Sequence, residues 1–333
     1  QKIFKGFAGI AGLQKSKIGL VLADAKLLKV EQEVLYSAIE AYSGLVFANE
    51  KLQINETNLN LLERQVETDQ ARLERGQITL ADLAQSESSF AGAQAKFIQA
   101  KNETVTAKLE YEKIIGPITD LDSLSKKLDF DLKIPDSLNN AIEISKINSP
   151  DLIIARLDYE QSEKDVIIAR ADLSPSATIS LSSTKTDDLS SSYDESEKEI
   201  AKATISWPIF KGGKNTASLN RSKNLQNRKK LLLDHAIRMN DTNVATAWSS
   251  LQSSRSLLNS VTLQVRAAEI ANEGITVEYE SGLGRSTLDV IQSNSLLLSS
   301  KISMAESERN YLLSQFKLLQ AVGNLSNDYL KLQ

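Results

Sequence analysis

Apolar residues recur every seven positions over long stretches of the chain. Leu45, Leu52, Leu59, Val66 and Leu73 form one such row, and Leu251, Leu258, Val265, Asn272 and Tyr279 form a second, with Asn272 as its polar member. Two further rows follow them: Leu83, Phe90, Phe97, Thr104 and Tyr111, then Val290, Leu297, Met304, Tyr311 and Leu318. A seven-residue apolar period predicts helices packed as coiled coils. The five prolines fall at 117, 135, 150, 175 and 208, so 1–116 and 209–333 contain none. Each stretch therefore reads as a helical hairpin. The outgoing arms run to about 60 residues, or ~90 Å at 1.5 Å per residue. The turns fall at Arg75-Gly76-Gln77 and at Ser281-Gly282-Leu283-Gly284, where glycine permits a left-handed backbone. Periodicity alone fits an ordinary coiled-coil spacer as well as a hairpin that packs beside like neighbours.

The two hairpins are copies of one unit. Ile3-Phe4-Lys5-Gly6 recurs as Ile209-Phe210-Lys211-Gly212, an offset of 206, and Ala41-Tyr42, Leu45, Glu74 and Gly76 correspond to Ala247-Trp248, Leu251, Glu280 and Gly282. After one inserted residue the offset becomes 207, pairing Asp82-Leu83 with Asp289-Val290, Gln85-Ser86 with Gln292-Ser293, and Gly116 with Gly323. A register held over more than a hundred residues with one slip marks an internal duplication.

Between the copies the pattern changes. Residues 117–140 have little periodicity and read as a connector. Ser149-Pro150-Asp151 predicts a helix start, with Ser as cap and Pro in the first turn; the helix should end near Pro175. Ala177, Ile179 and Leu181 then alternate with Ser176, Thr178, Ser180 and Ser182, and Ala201, Ala203, Ile205 and Trp207 alternate with Lys202, Thr204 and Ser206. These are two strands with one apolar face, separated by a polar, acidic loop at 186–199. They fit transmembrane barrel strands, and equally a half-buried hairpin of a soluble sheet. The first copy has no counterpart of this helix and strand pair, because Gln1-Lys2-Ile3-Phe4 aligns with Trp207-Pro208-Ile209-Phe210. A complete duplication would place roughly a hundred further residues before Gln1.

Composition narrows the function. The net charge of −4, with both signs interspersed, gives no basic footprint for nucleic acid. There is no cysteine, and the one histidine, His235, lies among Lys229, Lys230 and Asp234, where a solvated side chain is expected. Gly212-Gly213 lacks the dinucleotide-binding spacing, and Lys211 and Lys214 do not form a phosphate-binding loop. Asp187-Asp188 falls in the expected exposed loop. No catalytic constellation, metal site or cofactor site is expected, so the reading is not an enzyme.

Two motifs now carry a resemblance. Trp207-Pro208-Ile209-Phe210-Lys211-Gly212-Gly213, and Tyr279 through Gln292 (YESGLGRSTLDVIQ), resemble the TolC family of outer-membrane efflux and secretion proteins, as does the stretch from Ile134 to Ser180. The resemblance implies a mainly α fold with membrane β. Long coiled-coil hairpins would build an α-barrel tunnel in the periplasm, and strands would be contributed to a trimeric β-barrel in outer-membrane lipid. The implied division is 1–116 first hairpin, 117–148 equatorial connector, 149–174 helix leading to the barrel, 175–208 strand pair, 209–323 second hairpin and 324–333 tail. The implied function is a passive exit duct for type I protein secretion or multidrug efflux. Its implied partners are two further copies, a periplasmic adaptor (membrane fusion) protein and an inner-membrane ABC or RND transporter. The alternative is a structural or adaptor protein built on coiled-coil hairpins.

The same resemblance assigns a periplasmic gate to the tips. Asp289 corresponds to a constriction-ring aspartate, Arg285 and Tyr279 to the network that holds the second hairpin closed, and Asp82 to its first-hairpin partner. Gln292 stands where some members carry a second aspartate. Arg75, Gly76, Gly282 and Gly284 would present the tips to the adaptor, and Trp207 would mark the membrane interface.

Overall fold

The computed structural model describes residues 2–120, 124–125, 132–190, 193–282 and 284–326. In chain order the elements are β1 (Lys2–Lys5), α1 (Ala8–Glu74), α2 (Leu80–Ile114), α3 (Leu138–Asn148), α4 (Pro150–Ala171), β2 (Ser176–Ser190), β3 (Tyr193–Ser206), α5 (Lys214–Glu280) and α6 (Thr287–Ala321). The duplication is visible in the helix ends. α1 and α5 are both 67 residues long, and α2 and α6 both 35. Their limits differ by 206 in the outgoing pair and by 207 in the return pair, as the sequence register requires. The chain divides into two units, one of residues 1–30 and 143–242, the other of 31–142 and 243–333, with α1, α3 and α5 continuing from one into the other.

In the first unit a three-stranded antiparallel sheet has the order β1-β2-β3. Its register sets Ala177 opposite Ile205, Ile179 opposite Ala203 and Leu181 opposite Ala201, with Thr178 opposite Thr204 and Ser180 opposite Lys202. Directly opposed residues share a face, so the alternation read from each strand coincides across the pair. Leu181 and Ile205 are about 80% exposed on that apolar face. The expected loop at 186–199 is a correction. Both strands continue into it, and Lys185 forms an ion pair with Glu195 while lying opposite Glu197. Apolar alternation could not reveal this extension, because it is a polar ribbon held by cross-strand backbone bonds and opposed charges.

α4 is anchored by a row of aspartates seven apart. Asp151, Asp158, Asp165 and Asp172 pair with Lys29 (2.8 Å), Lys229 (2.5 Å), Lys15 (2.6 Å) and Lys5 (3.1 Å). Three of these lysines come from β1 and the start of α1 in reversed order, so α1 runs antiparallel to α4 there. Ser149 does precede α4 and Pro150 opens it, but the Ser149 hydroxyl makes no capping bond. The expected connector at 117–148 contains a helix, α3, which ends at Asn148, directly before Ser149. At the turn into α1, Gly6 has φ +49°, and a Cβ there would lie 2.7 Å from the Ser174 Cβ, so only glycine fits.

In the second unit each hairpin buries a two-row seam. The rows read from the sequence supply the larger residues. The other row, three positions on, is small or polar: Ser86, Ala93 and Ala100 in α2, and Ser293, Ser300, Ser307 and Ser314 in α6, all buried. Small residues let antiparallel helix backbones approach closely while the larger row fills the space between them. A separate apolar cluster of Ile39, Phe316, Leu319 and Leu325, flanked by Leu35, Tyr36, Leu132, Leu312 and Leu313, closes the end of this unit away from the turns.

Candidate functional site

The turns of the two hairpins hold most of the residues singled out from the sequence. α1 ends in a Schellman motif: Gly76 N–H donates to the Leu73 carbonyl (2.9 Å) and Gln77 N–H to that of Arg72 (2.9 Å), with Gly76 at φ +70°. α5 ends with Gly282 at φ +71°, its N–H donating to the Tyr279 carbonyl (3.2 Å), and Gly284 at φ +83°. Leu283 lies outside the described residues, as do 327–333 of the expected tail. Arg75 is exposed.

Both return helices start in a capping box. Thr79 and Asp82 at α2, and Ser286 and Asp289 at α6, exchange bonds of the same lengths: the N3 amide donates to the cap hydroxyl at 3.2 Å, and the cap amide donates to the carboxylate at 2.9 Å. Each cap hydroxyl also donates to its carboxylate, at 2.8 Å from Thr79 and 2.9 Å from Ser286. These bonds hold both carboxyls below their ordinary value, the cap amide first and the hydroxyl second, with Arg285 adding to the effect at Asp289. Each charge also lies in a first turn, where the helix dipole favours it.

Tyr279 lies elsewhere, buried just below the turn of its own hairpin. Its hydroxyl donates to Asp69 Oδ1 (2.9 Å) and lies 3.0 Å from Thr287 Oγ1. Asp69 is fully buried. Its Oδ2 accepts from Ser86 Oγ at 2.5 Å, and the Gln65 amide lies 3.0 Å from both oxygens. The Arg72 guanidinium sits 4.4 Å from the centre of the Tyr279 ring, in cation–π range. One carboxylate thus connects α1, α2 and α5, and through Tyr279 reaches the first residue of α6.

Within one chain the other residues singled out from the sequence have partners close to them. Arg285 does not bond Tyr279; its Nε donates to Glu278 Oε2 (2.6 Å) within the second hairpin, and that contact, followed by the field of Asp289, raises its pKa. Asp82 is committed to its own cap, and among the described residues it forms no bond to the second hairpin. The first-hairpin partner of Tyr279 is Asp69. Gln292 is exposed, as is His235. Trp207 is 63% exposed, and its indole N–H donates to the Leu173 carbonyl (3.3 Å). Asp69, Ser86, Thr287 and Arg72 were not identified from sequence. The available signal was the second seam row of α1, Ala48, Asn55, Leu62 and Asp69, in which a carboxylate occupies a buried heptad position.

The family model for outer membrane efflux proteins matches residues 1–117 and 141–324. The outer membrane efflux protein BepC of Brucella suis is 24% identical over all of this chain and 72% of its own length. The alkaline protease secretion protein AprF of Pseudomonas aeruginosa is 23% identical over 94% of this chain. This chain spans 66% of the AprF length. Among solved structures, the outer membrane protein VceC of Vibrio cholerae superposes with a TM-score of 0.82 at 20% identity, covering 97% of this chain and 77% of its own.

Proposed function

Because the chain belongs to the outer membrane efflux protein family, a family of channels and not of enzymes, we propose that it is the subunit of a trimeric exit duct whose periplasmic entrance is gated at its hairpin turns. The observation that supports this most directly is the pairing of two equal helical hairpins with a β-ribbon that exposes one apolar face. In water such a face is a liability; in a bilayer it is the lipid-facing side of a barrel strand. An apolar helix is not needed for this, and among the described residues no helix is long and apolar enough to cross a membrane.

In this reading three copies pool their strands into one barrel, since three strands alone leave an open edge that lipid cannot satisfy. Their hairpins stand side by side as a periplasmic tunnel. The duct does no chemistry, so its energy comes from an inner-membrane ABC or RND transporter reached through a periplasmic adaptor, for which Arg75, Gly76, Gly282 and Gly284 at the turns are the docking surface. Both protein secretion and efflux are cargo classes of its relatives by name, and the same architecture serves either.

At the closed entrance, Asp289 of the three copies forms an acidic ring. The capping bonds use Oδ2, and the lowered pKa keeps the group charged at periplasmic pH. The test is extraction of the protein from its own outer membrane in mild detergent, with mass measurement and planar-bilayer recording. A trimer with a stable, cation-selective conductance is expected. A monodisperse monomer without channel activity would overturn the proposal.

A further inference from the structure

Glutamate and lysine alternate along β3 in a way that the pairing of the ribbon does not require. From 195 to 202 the strand reads Glu-Ser-Glu-Lys-Glu-Ile-Ala-Lys. A strand has a period of two, so Glu195, Glu197 and Glu199 share a face with Ala203 and Ile205, and Lys198 and Lys202 lie on the opposite one. Pairing with β2 extends the separation. The face of the glutamates meets Ser183 and Lys185, and Lys185 forms its ion pair with Glu195 there. The other face sets Lys198 opposite Thr184 and Lys202 opposite Ser180. Neither strand places an acid on that face between 176 and 186 or between 196 and 206. Lys198 and Lys202 are exposed, and among the described residues neither forms an ion pair. Lys5 of β1, opposite Ser176, shows the alternative, since its charge is matched by Asp172. A solvated ribbon gains from opposite charges set across from each other. Here both lysines of β3 face hydroxyls, and the three glutamates are turned away from them.

We propose that Lys198 and Lys202 make the inner wall at the outer mouth of the duct a capture site for polyanions, and so favour cargo that presents clustered anionic groups. This rests on the duct reading, in which the Ile205 face meets lipid and the opposite face lines the water-filled lumen; it adds a cargo class that the duct reading leaves open. The helices join the ribbon next to Ser176 and Ser206, so the lysines lie toward its outer end, Lys202 level with Ser180 and Lys198 beyond it. They stand about 13 Å apart along the strand, farther than the screening length of about 8 Å at physiological ionic strength. A small anion feels one of them at a time. An extended polyanion engages both, together with the pair from each further copy around the lumen. The hydroxyls of Ser180 and Thr184, across from the lysines, can donate to oxygens of the same anion. Turning the glutamates outward leaves this positive wall unopposed. With its acidic entrance, the duct carries opposite signs in series: the narrow point selects among small ions, and the exit draws multivalent anions.

The test records single channels, purified from their own membrane, in planar bilayers with inorganic tripolyphosphate added to one side and then to the other. Block should be one-sided. In Lys198→Gln/Lys202→Gln the half-blocking concentration should rise about tenfold or more, the worth of one charge-assisted bond. Lys198→Arg/Lys202→Arg should keep the parental block, and so should Glu197→Gln/Glu199→Gln on the other face. The chain has no cysteine, so Lys202→Cys offers a second reading, which decides the matter if the glutamine variant does not assemble. Its weakened block should return after labelling with a cationic thiosulfonate and not after labelling with an anionic one. If the channel conducts but tripolyphosphate does not block it, or blocks it equally with and without the lysines, the duct reading stands and the capture site is wrong. If the glutamate variant moves the block and the lysine variant does not, the two faces are exchanged and the proposal falls. A purified protein that never conducts would overturn the duct reading and this proposal with it.

Discussion

Asp82 and Asp289 occupy the same position of the same capping box in two helices 207 residues apart, with bond lengths that agree to 0.1 Å. The duplicated unit thus extends beyond its seam to the way each return helix begins. It also places the acid at each turn in a local role, whatever it does toward a lumen. A carboxylate that accepts two donors in the folded state is favoured in its charged form.

The pH dependence of the turns follows from this. Both carboxyls are lowered, so their contribution to folding is fully present above the ordinary aspartate value and is lost as pH falls through the lowered one. Hydrogen exchange at the first-turn amides of α2 and α6 should be slow at neutral pH. It should lose protection, relative to mid-helix amides, only in the strongly acidic range. Ser286→Ala should expose the α6 turn at neutral pH, costing about 1 kcal/mol. Unchanged protection in Ser286→Ala would show that the box contributes nothing there.

The ring and cap roles of Asp289 separate by substitution. Asp289→Asn removes the charge but leaves an oxygen to accept the Ser286 bonds, so the turn should remain ordered while cation selectivity and block by multivalent cations fall. Asp289→Ala should lose both. A channel that kept parental selectivity in both variants would leave the residue with a local role only.

On the sheet, Ile205 and Ser206 point to opposite faces, and the register fixes which is which. Ile205→Arg should impair outer-membrane assembly, by ~2–4 kcal/mol if its depth is near the midplane. Ser206→Arg should assemble at nearly the parental level. Equal yields of heat-modifiable trimer for the two would contradict a lipid-facing Ile205.

The four lysine–aspartate pairs along α4 are partly exposed, so each alone should be worth little, within about 1 kcal/mol. Their shared helix makes them additive in a way salt can reveal. Thermal unfolding of the strand-bearing unit should shift down as ionic strength rises toward 1 M, where screening reaches about 3 Å. Asp158→Asn/Asp165→Asn should flatten that dependence. A salt response identical to the parent would mean that buried Leu152, Val166 and Ala169 hold α4 without electrostatic help.

Much of this was legible in the residues alone. The seven-residue rows, the proline-free stretches and the 206/207 register specify two equal hairpins, because helix period and chain repetition are properties of spacing. The alternation at 176–182 and 201–206 specifies a two-faced strand pair for the same reason, and the glycines at 76 and 282 mark turns because the left-handed backbone excludes most side chains. Family motifs around Trp207 and Tyr279 added the resemblance to outer-membrane efflux and secretion proteins, the family whose model the chain matches. The tertiary structure decided what spacing cannot. It carried the strands into a polar ribbon whose stability lies in cross-strand pairing. It formed α3 in the expected connector, and it gave Arg285 and Asp82 partners within their own hairpins, Glu278 and Thr79. It also brought Asp69 to Tyr279. A side chain's hydrogen-bond partner depends on which helices lie beside it, and a carboxylate in a heptad row looks the same in sequence whether it meets solvent, its own hairpin or the hydroxyl of another.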